Sequence, residues 1–146
     1  MTHPVEELIW EIRRLFRELS QAADHALEPL GINAAERALL EFLAKEAAPV
    51  SLSEIARNRA VSRQHIHQTL ARLDPRWVVR TSVPGDSRSV ALGLSAAGRE
   101  FWKRIRAVDR QLIARLGKQV DRADAQAAAA TLHKLRATLK SIQERS

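Results

Sequence analysis

Residues 51–95 have the sequence SLSEIARNRAVSRQHIHQTLARLDPRWVVRTSVPGDSRSVALGLS, and this stretch decides the fold. Ser51 and Ser62 each stand where a short helix can begin, because a serine hydroxyl accepts a hydrogen bond from an amide of the first turn. The second helix is predicted to end near residues 74–75, where a proline follows an aspartate. Two short helices with a tight connection between them predict a helix-turn-helix.

A β-hairpin is predicted directly after these helices. Residues 77–81 are rich in β-branched and aromatic side chains, which favour a strand. Residues 83–86 (VPGD) have the composition of a turn, and residues 90–94 return as a second strand. A hairpin in this position is a wing, so the stretch predicts a winged helix-turn-helix.

Helices are also predicted on both sides of this stretch. Residues 4–27 place apolar side chains alternately three and four apart, the spacing of a helix that packs against other helices, at Leu8, Ile12, Leu15, Leu19, Ala22 and Ala26. Asn33, with Glu36 as capping-box partner, begins the next helix, and Ser95 and Asp121 begin the last two. The fold class is therefore mainly α, with four helices, one β-hairpin and two further helices.

Charge is distributed unevenly along the chain. Residues 1–50 carry a net charge of −4, whereas residues 51–99 carry +5 and residues 100–146 carry +6. This asymmetry favours a polyanionic partner such as double-stranded DNA, although solubility alone would also explain it. The sequence has no cysteine, which excludes disulfides and thiolate metal sites, and no apolar run of about 20 residues. We expect a soluble, cytoplasmic protein with no membrane partner.

The helix after Ser62 has two chemically different sides. A helical wheel of about 100° per residue places Ile66, Leu70 and Leu73 together and turns Gln64, Gln68 and Ala71 to the opposite side. Glutamine pairs bidentately with adenine, and arginine with guanine or a phosphate. The alternative is an ordinary amphipathic surface helix, but residues 62–73 contain no acidic side chain.

The predicted hairpin carries a second basic feature that favours DNA binding. An arginine at a narrow hairpin tip can enter the minor groove of DNA, where the electrostatic potential is most negative. Arg88 has this position, and Asp86 is predicted to orient its guanidinium through an ion pair.

From Leu30 to Arg104 the chain resembles the multiple-antibiotic-resistance regulator (MarR) family of winged-helix transcription regulators. The matching pieces occur in order: LGINAAERALLEFLA, VSLSEIA, VSRQHIHQTLARL and VVRTSVPGDSRSVALGLSAAGRE. The resemblance implies a homodimer that packs through the first, fifth and sixth helices. It implies a helical dimerisation region of residues 1–30 and 100–146 and a DNA-binding domain of residues 31–99.

The resemblance also implies which residues bind DNA. They lie on the second helix of the helix-turn-helix and at the wing tip: Ser62, Arg63, Gln64, His67, Gln68, Arg72, Asp86 and Arg88. Two positions depart from the family pattern, because Arg76 stands where glycine is usual and Ser89 where a second wing arginine is common. Arg76 is thus an additional candidate for a phosphate contact, and the wing tip has fewer basic groups.

The sequence has weaker features that bear on three other kinds of site. Small aromatic or phenolic ligands are common effectors in the family, and Trp10, Arg13, Phe16 and Arg17 could line a pocket or could be core and solvated side chains. We assign no effector-binding residues. His65 and His67 point about 200° apart on a helix, so no metal site is predicted. No catalytic motif is present, so we expect neither an enzyme nor a cofactor.

The leading hypothesis is a homodimeric, ligand-responsive repressor that binds a pseudo-palindromic operator at the nucleoid. The alternatives are an architectural or non-specific DNA-binding protein and a helical protein-interaction module.

Overall fold

The computed structural model describes residues 1–83 and 85–146, which form six α-helices and three β-strands. In chain order the elements are α1 (Pro4–Leu27), α2 (Ala34–Lys45), β1 (Val50–Ser51), α3 (Leu52–Arg59), α4 (Arg63–Arg72), β2 (Val78–Val83), β3 (Asp86–Leu94), α5 (Ala96–Gly117) and α6 (Arg122–Glu144). The predicted fold class, mainly helical with a β-hairpin, is confirmed. The chain divides into two compact units, Met1–Val108 and Asp109–Ser146.

Side-chain caps fix where the helices begin. The Asn33 side chain accepts the N–H of Glu36 at 2.9 Å, and the Glu36 carboxylate accepts the N–H of Asn33 at 3.0 Å, which completes the predicted capping box of α2. Ser51 and Ser62 cap α3 and α4 in the predicted way. These bonds satisfy first-turn amides that have no partner within a helix.

The turn between α3 and α4 depends on an alanine in an unusual conformation. Ala60 has φ 52° and ψ 43°, and it is the only residue other than glycine with positive φ in the described part of the chain. The N–H of Val61 donates to the carbonyl of Ala56 at 3.1 Å, and the half-buried Val61 packs against the core. This is a helix-ending motif in which glycine usually occupies the left-handed position.

The strands form an antiparallel sheet in the order β1-β3-β2, with β2 at one edge. The hairpin extends beyond the predicted strands, because β2 continues to Val83 and β3 begins at Asp86. Trp77 lies in a 3₁₀ turn rather than in a strand. Gly85 has φ 81° in the predicted turn of residues 83–86, whereas Pro84 of that turn lies outside the described residues.

The strand β1 was not predicted. Its residues Val50 and Ser51 pair with Leu92 and Ala91 of β3. Two residues are too short to show any periodicity, so the sequence carried no signal for this strand.

The hydrophobic core lies in the unit Met1–Val108. Its buried members come from all five helices of this unit, from the turn after α1 and from the sheet: Leu27, Ile32, Leu39, Leu40, Leu43, Val50, Leu52, Ile55, Ile66, Leu70, Leu73, Leu92, Leu94, Phe101 and Ile105. Because Ile66 and Leu70 of α4 belong to this core, their burial determines which side of the helix is exposed.

The unit Asp109–Ser146 is built differently. It contains the end of α5 and all of α6, and none of its residues, all of which the structure describes, is buried. The helix α5 ends at Gly117, and the carboxylate of Asp121 caps α6 as predicted.

Replacing Ala60 by glycine should stabilise the protein. Glycine adopts positive φ without the steric cost that a Cβ imposes, so we expect Ala60→Gly to raise the free energy of unfolding by about 0.5–1 kcal/mol. Urea denaturation at fixed protein concentration measures this change. The matched control is Ala71→Gly in the exposed last turn of α4, which should lower stability by up to about 1 kcal/mol. Equal destabilisation by both variants would contradict the role given to Ala60.

Candidate nucleic-acid interface

The inner side of α4 is firmly packed. Ile66, Thr69 and Leu70 are buried, as is Leu73 directly after the helix. The hydroxyl of Thr69 donates to the carbonyl of His65 at 2.9 Å, so burying this side chain leaves no polar group unpaired. The inner side therefore fixes the rotation of α4 about its own axis.

The outer side of α4 carries the polar residues singled out from the sequence. Ser62 at its cap and five side chains of the helix are exposed, namely Arg63, Gln64, His67, Gln68 and Arg72. The division of the helix into two sides is confirmed. Contact of these side chains with DNA stays a prediction. The Ser62 hydroxyl also accepts the N–H of His65 at 3.0 Å, so its first role is to begin the helix.

A groove runs along one flank of α4. A cavity of about 410 Å³ lies between α4 and the beginning of α2, and Gln68, Arg72 and His65 line it on the α4 side. His65 is half-buried and was not among the predicted contacts. On the helical wheel, His65 falls at the border between the apolar and the polar side of α4, and this position could have identified it from the sequence.

At the wing tip, Asp86 has different partners from those predicted. Its carboxylate accepts the Ser89 hydroxyl at 2.6 Å and the backbone N–H of Arg88 at 3.0 Å. The Ser89 hydroxyl first, and then the Arg88 amide, lower the pKa of Asp86. The predicted ion pair is therefore wrong: Asp86 bonds to the backbone of Arg88, and the Arg88 side chain is exposed. Ser89, which departs from the family pattern, supplies one of the two donors to this carboxylate.

Arg76 is engaged by its neighbour. Its guanidinium contacts the carboxylate of Asp74, with Nη2 to Oδ2 at 2.6 Å, and its backbone N–H donates to the same carboxylate at 2.9 Å. The side-chain bond from Arg76 lowers the pKa of Asp74, and Asp74 in turn raises the pKa of Arg76. Because the cation is already paired, Arg76 is a weaker candidate for a phosphate contact than an unpaired arginine would be.

The aromatic residues of α1 are not part of the core. Trp10 is 50% exposed and Phe16 is 71% exposed. The guanidinium of Arg13 lies 5.4 Å from the centre of the Trp10 ring. Within one chain, the interpretation of Trp10 and Phe16 as core side chains is therefore wrong. That they line a ligand pocket stays a prediction.

No group of three or more His, Cys, Asp or Glu side chains lies close enough to hold a metal ion in residues 1–83 and 85–146. Across the same residues, no helix is both long and apolar enough to cross a membrane.

Comparison of the sequence with known proteins finds a clear relative. The chain is 31% identical over 118 residues to the HTH-type transcriptional repressor Rv2887 of Mycobacterium tuberculosis, which covers 77% of this chain and 82% of the relative. An HTH-type transcriptional repressor of Mycobacterium bovis matches equally well. No model of a known protein family matches the chain.

Solved structures show the same fold. A MarR family transcription regulator superposes with a TM-score of 0.85 at 20% identity and covers 100% of this chain and 99% of its own. Staphylococcus aureus MarR, in complex with salicylate and kanamycin, gives 0.83 at 18% identity, with 94% and 93% covered. Staphylococcus aureus MepR in a DNA complex gives 0.75 at 20% identity, with 89% and 96% covered. On the relatives and the fold together, this chain belongs to the MarR family of transcription regulators.

Proposed function

We propose that the chain is a homodimeric transcriptional repressor that binds a pseudo-palindromic DNA operator and releases it on binding a small ligand. The observation that carries the proposal is the division of α4 into a buried side, with Ile66 and Leu70, and an exposed side, with Gln64 and Gln68. A helix anchored in this way presents the same side chains to any duplex that approaches it. The relatives that are 31% identical are named repressors, which supports this direction of regulation.

The exposed side chains have the chemistry that reading a major groove requires. Gln64 and Gln68 offer paired donors and acceptors to adenine, and Arg72 offers a fork of donors to guanine or to a phosphate. Ser62, Arg63 and His67 complete the proposed contacts on this helix. We propose that the exposed Arg88 enters the adjacent minor groove. Asp86 holds the backbone at the wing tip.

The homodimer is proposed because α6 has no core of its own. Leu132, Leu135, Leu139 and Ile142 follow helical spacing, yet Leu139 is 59% exposed and Ile142 is 56% exposed. On α1, Leu15 and Leu19 are exposed as well. Helices of this length owe most of their stability to packing of an apolar face, so we assign residues 1–30 and 100–146 to a dimer interface and residues 31–99 to DNA binding.

Symmetry then sets the form of the operator. A dimer with two-fold symmetry presents its two α4 helices to two half-sites of an inverted repeat. Half-sites one helical turn apart are separated by about 34–36 Å. We expect such a regulator to act in the cytoplasm, at the nucleoid.

The ligand response is supported by one neighbour in fold. Staphylococcus aureus MarR was solved with salicylate, a small aromatic anion, and with kanamycin. A ligand lowers DNA affinity only if it binds more tightly to a dimer geometry that misplaces the α4 helices. We propose an aromatic or phenolic ligand for this chain.

Selection of genomic DNA fragments by the purified protein tests the proposal. We expect the enriched fragments to share an inverted repeat. Binding without a shared motif, with steep salt dependence, would instead identify an architectural protein that recognises only the phosphate backbone. Failure to enrich any fragment at low salt would refute both functions and leave the helical interaction module.

Gln64→Ala and Gln68→Ala should each change base preference at a defined operator position. Loss of one bidentate contact costs about 1–3 kcal/mol, which we expect to see as weaker binding to the preferred base and little change at a substituted site. Fluorescence anisotropy with operator variants measures both the affinity and the base preference. The matched control is Gln126→Ala, an exposed glutamine on α6. Unchanged affinity and preference in both α4 variants would show that another surface reads the bases.

Replacing the exposed leucine of α6 should dissociate the dimer. We expect Leu139→Glu to convert a species of twice 16.4 kDa into one of 16.4 kDa in sedimentation velocity, because a carboxylate would be buried in the apolar interface. Ala130→Glu introduces the same charge about 180° away on α6 and should leave the mass unchanged. A monomeric wild-type protein at micromolar concentration would contradict the proposed interface.

A further inference from the structure

The turn of residues 74–77, which joins α4 to β2, is bound to the beginning of α5 through one serine. The N–H of Ser95 donates to the carbonyl of Trp77 at 3.0 Å, and the Ser95 hydroxyl donates to the carbonyl of Arg76. The same hydroxyl accepts the N–H of Gly98 at 3.0 Å. Ser95 therefore caps α5 and ties the base of the wing to it at the same time.

Glycine at position 98 allows the turn and α5 to approach each other closely. A Cβ built on Gly98 would lie 2.1 Å from the carbonyl oxygen of Trp77 and 3.2 Å from Cδ2 of Leu94. The first separation is far inside van der Waals contact, and the obstructing atom is backbone. Any side chain at this position would push the wing base away from α5.

Aromatic packing extends this contact by another turn of α5. The Trp77 and Phe101 rings are stacked, with centroids 3.7 Å apart and planes 10° from parallel. The guanidinium of Arg104 lies 5.5 Å from the centre of the Phe101 ring. Because Phe101 is buried, the turn is held by the hydrophobic core of the unit Met1–Val108.

The other end of the turn is just as constrained. Leu73, the residue after α4, is buried, and Asp74 bonds to both the backbone and the side chain of Arg76. Only residues 73–77 separate α4 from the strand β2. The short segment that leads from α4 to the wing is therefore attached to the beginning of α5 through Arg76 and Trp77.

The outer part of the wing lacks such attachment. Only Ala91 and Leu92 of β3 pair with β1, so the segment toward Arg88 is paired with β2 alone. About 20 Å separate Leu94 at the base from Arg88 at the tip, at roughly 3.3 Å per residue. A tilt of about 10° at the base would displace the tip by about 3–4 Å, which is enough to break a hydrogen bond.

We propose that Ser95, Gly98 and Trp77 are positioning residues that fix the angle between the wing and α4, so that both reach DNA as one body with α5. The inference rests on the proposed function of Arg88 and α4 in DNA binding. It predicts that movement of α5 in the dimer changes major-groove and minor-groove contacts together, because the wing cannot bend independently at its base.

A double-mutant cycle with Arg88→Ala tests the positioning role. In the wild type we expect Arg88→Ala to weaken operator binding about tenfold. In the Ser95→Ala background, where the bond to Arg76 is lost and the tip is misplaced, the same change should weaken binding less than about twofold. Gly98→Ala should give the same result. Ser95→Thr keeps the hydroxyl, so in this background Arg88→Ala should again weaken operator binding about tenfold, which is the wild-type penalty.

Controls separate this role from stability and from the proposed function. Ser20→Ala removes a hydroxyl that donates to the Phe16 carbonyl of α1 at 2.8 Å, and it should leave the full penalty for Arg88→Ala. If Gly98→Ala does not fold, the Ser95 variants decide the outcome. Equal penalties for Arg88→Ala in the Ser95→Ala and wild-type backgrounds would overturn the positioning role. Loss of all operator binding by Gln64→Ala, with no effect of Arg88→Ala in the wild type, would instead refute the proposed role of the wing.

Discussion

The structure depends on the burial of four aliphatic side chains that come from four different elements. Leu40 of α2, Ile55 of α3, Leu92 of β3 and Ile105 of α5 have no exposed surface. Burying one such side chain contributes about 1.5–3 kcal/mol, and each of these also fixes the rotation of the element that carries it. The direction in which α4 presents its glutamines is a consequence of this core, since α4 contributes Ile66 and Leu70 to the same cluster.

Signals that are local in sequence predicted most of the fold and most of the proposed interface. The caps at Asn33 and Ser62 and the two sides of α4 depend on spacings of three or four residues, which a helix converts directly into geometry. Contacts between distant residues were not predictable in this way. The strand β1 exists because Val50 meets Leu92, and Ser95 bonds to Arg76 across 19 positions. At the wing tip, Asp86 accepts from the backbone N–H of Arg88 and from the hydroxyl of Ser89, and the spacing of Asp86 and Arg88 alone did not distinguish the backbone from the side chain.

The two units of the chain have different sources of stability. The unit Met1–Val108 buries a continuous core, whereas the unit Asp109–Ser146 buries none of its residues. In proteins, a helix such as α6 owes most of its stability to packing of an apolar face, even with helix-favouring alanines at its beginning. If the proposed dimer forms, the stability of this part of the chain depends on protein concentration, as for any obligate interface.

The position of β2 at the edge of the sheet has a consequence for solubility. An edge strand exposes backbone donors and acceptors to which a strand of another molecule can add, and β2 also exposes the apolar Val79. Arg80 follows directly, exposed on the same strand. A second copy of the strand, added in the antiparallel register that places the two Arg80 residues opposite each other, would bring two guanidinium groups close together, and their repulsion opposes this addition. The exposed charge of Arg80 thus opposes self-association of the protein into larger sheets.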